Sequence, residues 1–106
     1  MSVVNKLRSV LKARGIANPH QLKNATKQAD PLGRGIGQRT SLSAWSNPYW
    51  VPKAESLELI CRTFDIQPGD FLFYIDDENA VKEFLEEFEA EELAEWKEKR
   101  QKVRSS

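Results

Sequence analysis

Apolar residues recur at helical spacing along most of the chain, and glycine or proline separates one stretch from the next. The spacing is clearest in two predicted helices, one carrying Val3, Leu7, Val10 and Leu11, and the other carrying Leu57, Ile60, Cys61 and Phe64. No stretch alternates apolar and polar residues as a half-buried strand would. The pattern therefore predicts an all-α fold, with Pro52 opening the helix of residues 57–64 and with Phe71, Leu72 and Tyr74 turned into the core.

The middle of the chain carries the strongest boundary signals. Asn18 can cap a helix, Pro19 suits its first position, and Gln21 completes a capping box. This helix is expected to end at Asp30 and Pro31. Residues 31–37 contain three glycines, which predicts a loop, and a short helix follows over residues 38–46.

Composition changes after Asp77. Residues 77–104 lack proline and glycine and pass from acidic to basic, a gradient that complements the dipole of one long helix. We therefore expect two parts, a globular domain over residues 1–76 and a C-terminal extension helix within residues 77–106.

Charge is divided between the same two parts. Residues 1–75 hold ten Lys or Arg against five Asp or Glu, whereas residues 76–106 hold six against eleven. The zero net charge of the chain therefore conceals a basic body and an acidic tail. A basic body favours a polyanionic partner such as a nucleic acid.

Several functional classes are not expected. With one cysteine and one histidine the chain has neither a disulfide nor the usual ligands of a zinc site. The longest apolar run, residues 71–75, is far short of the roughly 20 residues of a membrane span, and residues 1–6 lack a signal-peptide core. We expect a cytoplasmic, nucleoid-associated protein that is not an enzyme, contacts no membrane and has no metal or cofactor.

Residues 38–46 suit insertion into the DNA major groove, because the outer positions of this helix are small or hydrogen-bonding. Leu42 and Trp45 are expected to point inward. Residues 40–47, together with Pro52 and the segment 56–70 that ends in Pro-Gly-Asp, resemble the phage-repressor (Cro and XRE-type) helix-turn-helix family. The resemblance covers roughly residues 4–76. It implies a five-helix domain for sequence-specific binding of double-stranded DNA, and a transcriptional repressor that acts as a homodimer.

The resemblance also assigns roles to individual residues. It implies base reading by Gln38, Arg39, Thr40, Ser43 and Ala44. Phosphate contacts are expected from Ser41, Lys23, Lys27, Lys53 and Arg34. The loop of residues 31–37 is longer than the tight turn of that family, so Arg34 has three open roles: a phosphate contact, a minor-groove contact, or part of a plain surface loop.

An alternative function belongs to another class. The C-terminal helix carries Phe88, Leu93 and Trp96 among acidic residues, which suits a surface for a second copy or for another protein, such as a toxin in an antitoxin-type pair. Tyr49 and Trp50 stand where that family has a basic stretch. They either cap the core of the domain or contact a partner.

Overall fold

The computed structural model describes the backbone of residues 2–104 and the side chains of residues 2–97. Over these residues the chain forms five α-helices, one short 3-10 helix and a two-stranded sheet. In chain order the elements are β1 (Ser2–Asn5), α1 (Leu7–Lys12), α2 (Pro19–Ala29), α3 (Gln38–Ser46), α4 (Ala54–Phe64), the 3-10 helix (Pro68–Asp70), β2 (Leu72–Ile75) and α5 (Glu78–Arg104).

The chain divides into two compact units, Ser2–Tyr74 and a C-terminal unit that begins at Ile75. In the first unit α2 packs against α3 and α4, and α1 packs against α3. The core between them is apolar, and its buried members are Leu7, Leu11, Leu22, Ile36, Ala44, Trp45, Ile60, Ile66 and Phe71. Trp50 is half-buried against this core, whereas Tyr49 is 46% exposed.

The two strands correct the all-α prediction. Residues 2–5 form β1 and pair with β2 instead of opening the first helix. Two adjacent β-branched residues, Val3 and Val4, favour the extended backbone. The side chain of Asn5 then accepts a hydrogen bond from the Leu7 amide at 2.7 Å, and α1 begins there.

The end of the first unit also differs from the prediction. Phe71 is fully buried, Leu72 is half-buried, but Tyr74 is 62% exposed. Residues 72–75 form strand β2 in place of the expected turn, and the prediction that Tyr74 is a core residue is wrong. Pro52 is buried ahead of α4, which begins two residues later than expected, at Ala54.

The C-terminal unit contains α5, a 27-residue helix. Phe84 and Phe88 lie one turn apart with their ring centroids 6.0 Å apart, and both are buried. Leu93 and Trp96 are 52% and 55% exposed. Phe88 was one of three residues expected to face a partner. This prediction is wrong for Phe88, because its ring packs beside Phe84 and is buried.

Candidate nucleic-acid interface

Helices α2 and α3 and the loop between them form the candidate site. Helix α2 begins as the sequence predicts: Asn18 caps it by accepting a hydrogen bond from the Gln21 amide at 2.9 Å. The side chain of Gln21 accepts a hydrogen bond from the amide of Ala17, at 2.7 Å, one residue before the Asn18 amide that the predicted capping box would use. Helix α3 covers residues 38–46, the bounds expected from the sequence.

The loop between α2 and α3 is ordered by one carboxylate. Asp30, at the end of α2, accepts hydrogen bonds from the backbone amides of Leu32 (3.0 Å), Arg34 (3.1 Å) and Gly35 (3.0 Å). Oδ1 accepts the hydrogen bond from Leu32, and Oδ2 accepts those from Arg34 and Gly35. The loop that carries Arg34 is therefore held by specific hydrogen bonds, and the role of Arg34 stays a prediction.

Helix α2 also contacts this loop directly, through a hydrogen bond and a close approach of the two backbones. The Thr26 hydroxyl accepts a hydrogen bond from the Ile36 amide at 3.3 Å, and Ile36 is buried in the core. Gly35 approaches the α2 backbone so closely that a Cβ atom there would lie 2.9 Å from the Lys27 amide nitrogen. Arg34 thus stands, exposed, on a loop that is fixed to α2 on both sides of it.

The hydrogen bonds to Asp30 make this loop sensitive to acid. The Leu32 amide, followed by those of Gly35 and Arg34 and the Arg34 charge, lowers the pKa of Asp30 below its ordinary value of 3.8, although burial opposes the shift. A lowered folded-state pKa means that the stabilisation is fully present above pH 3.8 and is lost as the pH falls through the folded value.

We expect the backbone amide chemical shifts of Leu32, Arg34 and Gly35 to stay constant between neutral pH and pH 5, and to titrate together below 3.8. An NMR pH titration measures this. In Asp30→Asn the shared titration should vanish, because the group no longer ionises and its amide has one acceptor oxygen instead of two. A common titration midpoint above 3.8 in the natural protein would contradict the assignment.

The orientation of α3 differs from the expected one. Its buried residues are Ser41, Ala44 and Trp45, which share one face at i, i+3 and i+4, while Leu42 is 49% exposed. The prediction that Leu42 points inward is therefore wrong. The predicted DNA contacts of Ser41 and Ala44 are also wrong, because both side chains are buried. Trp45 lies in the core as predicted.

The inner face of α3 combines the large side chain of Trp45 with the small side chains of Ser41 and Ala44. Ser41 satisfies its hydroxyl inside the helix by donating to the Gly37 carbonyl at 2.7 Å, so its burial leaves no polar group unpaired. At the other end of α3, buried Asn5 donates from Nδ2 to the Ala44 carbonyl at 3.3 Å, and buried Arg8 donates from Nη1 to the Trp45 carbonyl at 3.4 Å. These bonds fix the rotation of α3 about its axis.

Asn5 and Arg8 are positioning residues that the sequence analysis did not single out. Both are polar and almost fully buried, and both lie more than 30 residues from the carbonyls that they bond. Each is a polar residue inside the apolar first segment, but Arg8 also counts toward the basic charge of the body, and Asn5 lies in the start of the chain that lacks a signal-peptide core.

The other residues predicted to contact DNA differ in their exposure to solvent. Gln38 and Arg39 are exposed on α3, and Thr40 and Ser43 are half-buried. Lys23 and Lys27 are four residues apart on α2, half-buried and exposed respectively. Lys53 is exposed immediately before α4.

Charge in this part of the chain is almost entirely positive. Residues 1–54, which include β1 and helices α1 to α3, hold nine Lys or Arg and a single carboxylate, Asp30. That carboxylate is already occupied by three backbone amides. Residues 31–54, which contain α3, carry Arg34, Arg39 and Lys53 and no acid. The exposed side of α3 therefore lies in a segment suited to a polyanion.

Neither a metal-binding cluster nor a membrane-crossing helix occurs in the described residues. No group of three or more His, Cys, Asp or Glu residues there could hold a metal ion. No helix in the described part of the chain is both long enough and apolar enough to cross a membrane.

Comparison with known proteins adds no relative, since no family model, curated protein or solved structure matches this chain significantly. The functional evidence is therefore the geometry and charge of the α2–loop–α3 unit.

Proposed function

We propose that this protein is a sequence-specific double-stranded DNA-binding protein of the repressor-like helix-turn-helix kind, acting in the cytoplasm as a homodimeric transcriptional repressor. The observation that carries the proposal is the exposed side of α3, which presents Gln38 and Arg39 from a segment without carboxylates. Arginine pairs with two acceptors of guanine, and glutamine with two positions of adenine, on the major-groove edges.

The anchoring of α3 supports the same proposal. Base reading requires a helix whose position is held by the rest of the protein, because a loosely held side chain loses its geometric selectivity. Asn5, Arg8 and the core residue Trp45 hold the C-terminal end of α3. The Asp30 loop holds the segment that leads into its first turn.

Phosphate contacts are proposed for cations beside α3. Arg34 and Lys27 are both exposed, at the loop and at the α2 turn that the loop touches through Gly35. Lys23 and Lys53 are further candidates. Such contacts position a protein on the duplex and do not by themselves select a sequence.

Selection from a random duplex DNA pool tests this proposal. We expect enrichment of an inverted repeat with half-sites about one helical turn apart, as a two-fold dimer requires. Binding that weakens steeply with salt and enriches no sequence would contradict base reading. Enrichment of a single site without symmetry would support base reading but contradict the proposed dimer.

A second candidate function has one observation in its favour. Leu93 and Trp96 are about half exposed on α5, in a segment rich in glutamate, and large apolar side chains in such positions suit a protein partner. This surface is proposed either for the second copy in the DNA-binding dimer or for a different protein. Absence of DNA binding even at low salt would favour the protein-binding function alone.

A further inference from the structure

Leu42 is the feature of α3 that the proposed contacts leave unexplained. Its side chain is 49% exposed, although a leucine is usually found inside. It follows Gln38 by one turn and precedes Ser46 by one turn, and both of these are exposed. Arg39 lies three residues before it, on the neighbouring row of the helix.

The helical arrangement places Leu42 between the exposed residues Gln38 and Ser46. At about 100° per residue, the exposed residues Gln38, Leu42, Ser46 and Arg39 follow one another around roughly 100° of the helix. The buried residues Ser41, Ala44 and Trp45 occupy the adjoining arc, in which Trp45 lies about 60° around the helix from Leu42. A helix that enters a groove with this face forward brings Leu42 against the bases before any other apolar side chain of α3.

The chemistry of the bases then restricts the partner of Leu42. Major-groove edges present hydrogen-bond donors and acceptors and a single kind of apolar group, the 5-methyl of thymine. An apolar side chain pressed on a donor or acceptor would leave that group without its water and without a partner. Apolar contact is favourable only with the thymine methyl.

We infer that Leu42 is a specificity-determining residue of the proposed DNA-binding function, and that it contacts the 5-methyl group of a thymine in each half-site. This inference depends on the proposed function. Three residues of helix rise by about 4.5 Å, so the thymine lies within one or two base pairs of the base read by Arg39.

The test uses the selected duplex and replaces its thymines one at a time by uracil, which lacks only the methyl group. With the full-length natural protein, one thymine position should show an affinity loss of about fourfold per half-site, the value of one buried methyl group. In Leu42→Ala the same replacement should change the affinity by less than about twofold, because most of the methyl contact is absent.

Two further variants complete the test. Val51→Ala removes another exposed apolar side chain, outside α3, and should retain the full thymine-to-uracil factor. Leu42→Asn should change the selected base at that position from thymine to adenine, since asparagine pairs with two groups of adenine. All three variants alter exposed residues, and circular dichroism checks that they fold.

The outcomes separate this inference from the function on which it rests. If a duplex is selected but the replacement of thymine by uracil lowers the affinity of Leu42→Ala and of the natural protein by the same factor, the Leu42 contact is overturned. DNA binding itself is then retained. Weaker self-association in Leu42→Ala with unchanged base preference overturns it in favour of a protein contact. Failure to select any duplex overturns DNA binding, and the Leu42 contact with it.

Discussion

Gly35→Ala is expected to destabilise the protein by about 2–5 kcal/mol, measured as the free energy of unfolding in urea. Two physical effects add at this position. The backbone of Gly35 has φ +67°, which is unfavourable for an L-residue by about 1–2 kcal/mol. The new Cβ would also lie 2.9 Å from the Lys27 amide nitrogen and 3.0 Å from its Cα, which are backbone atoms that no side-chain rotation can move.

Gly33→Ala is the matched control for this substitution. Gly33 has nearly the same backbone angle, φ +69°, but a Cβ atom there would meet nothing within 4 Å. It should therefore show only the conformational penalty, about 1–2 kcal/mol. The difference between the two variants measures the close approach of the loop to α2. Equal losses in both would show that the loop moves away from α2 without cost.

The same pair of variants relates the loop to the proposed function. Gly35 lies three residues before α3, so displacement of the loop from α2 also displaces the start of that helix. We expect Gly35→Ala to lose more affinity for a selected duplex than Gly33→Ala does, under conditions where both are folded.

Local signals in the sequence were sufficient to predict the helices around the site. The cap at Asn18, the proline at position 19 and the glycines of residues 31–37 act on their immediate neighbours, and α2 and α3 have the expected bounds. The long helix of the C-terminal unit was predicted for the same reason, since residues 78–104 contain no residue that would break it.

The orientation of α3 was not predictable from local pattern. The rule that apolar residues face inward placed Leu42 in the core, but the buried face carries Ser41, whose hydroxyl is satisfied by the Gly37 carbonyl of its own helix. The bonds that set the rotation come from Asn5 and Arg8 in another part of the chain. Such long-range bonds leave no periodic signal near α3, and the pairing of β1 with β2 is hidden for the same reason.

The candidate site was predicted in part. Gln38 and Arg39 are exposed on α3 as expected, whereas Ser41 and Ala44 are buried. The role of Asp30 is not predictable from local pattern, because an acidic residue before a proline indicates only the end of a helix, whereas this carboxylate bonds amides up to five residues further on. That a DNA duplex binds here stays a prediction.

Arg39→Ala is the substitution expected to affect DNA recognition most. Arg39 is an exposed cation of α3, and the segment of residues 31–54 that contains it holds no acid. A bidentate contact with guanine contributes about 1–3 kcal/mol of discrimination, so the affinity for a selected duplex should fall by about 5- to 150-fold. The preference for guanine at one position of each half-site should relax at the same time.

Arg39→Lys separates the charge of this side chain from its geometry. Lysine retains the positive charge and can reach guanine, but it lacks the planar fork that bonds two acceptors at fixed spacing. We expect its affinity for unselected DNA to equal that of the natural protein and its guanine preference to be intermediate. Titrations at several salt concentrations, on the selected duplex and on one with that guanine replaced, distinguish the two effects. If Arg39→Ala weakened binding to both duplexes by the same factor, Arg39 would be a phosphate contact, and base reading would have to come from Gln38 and Leu42.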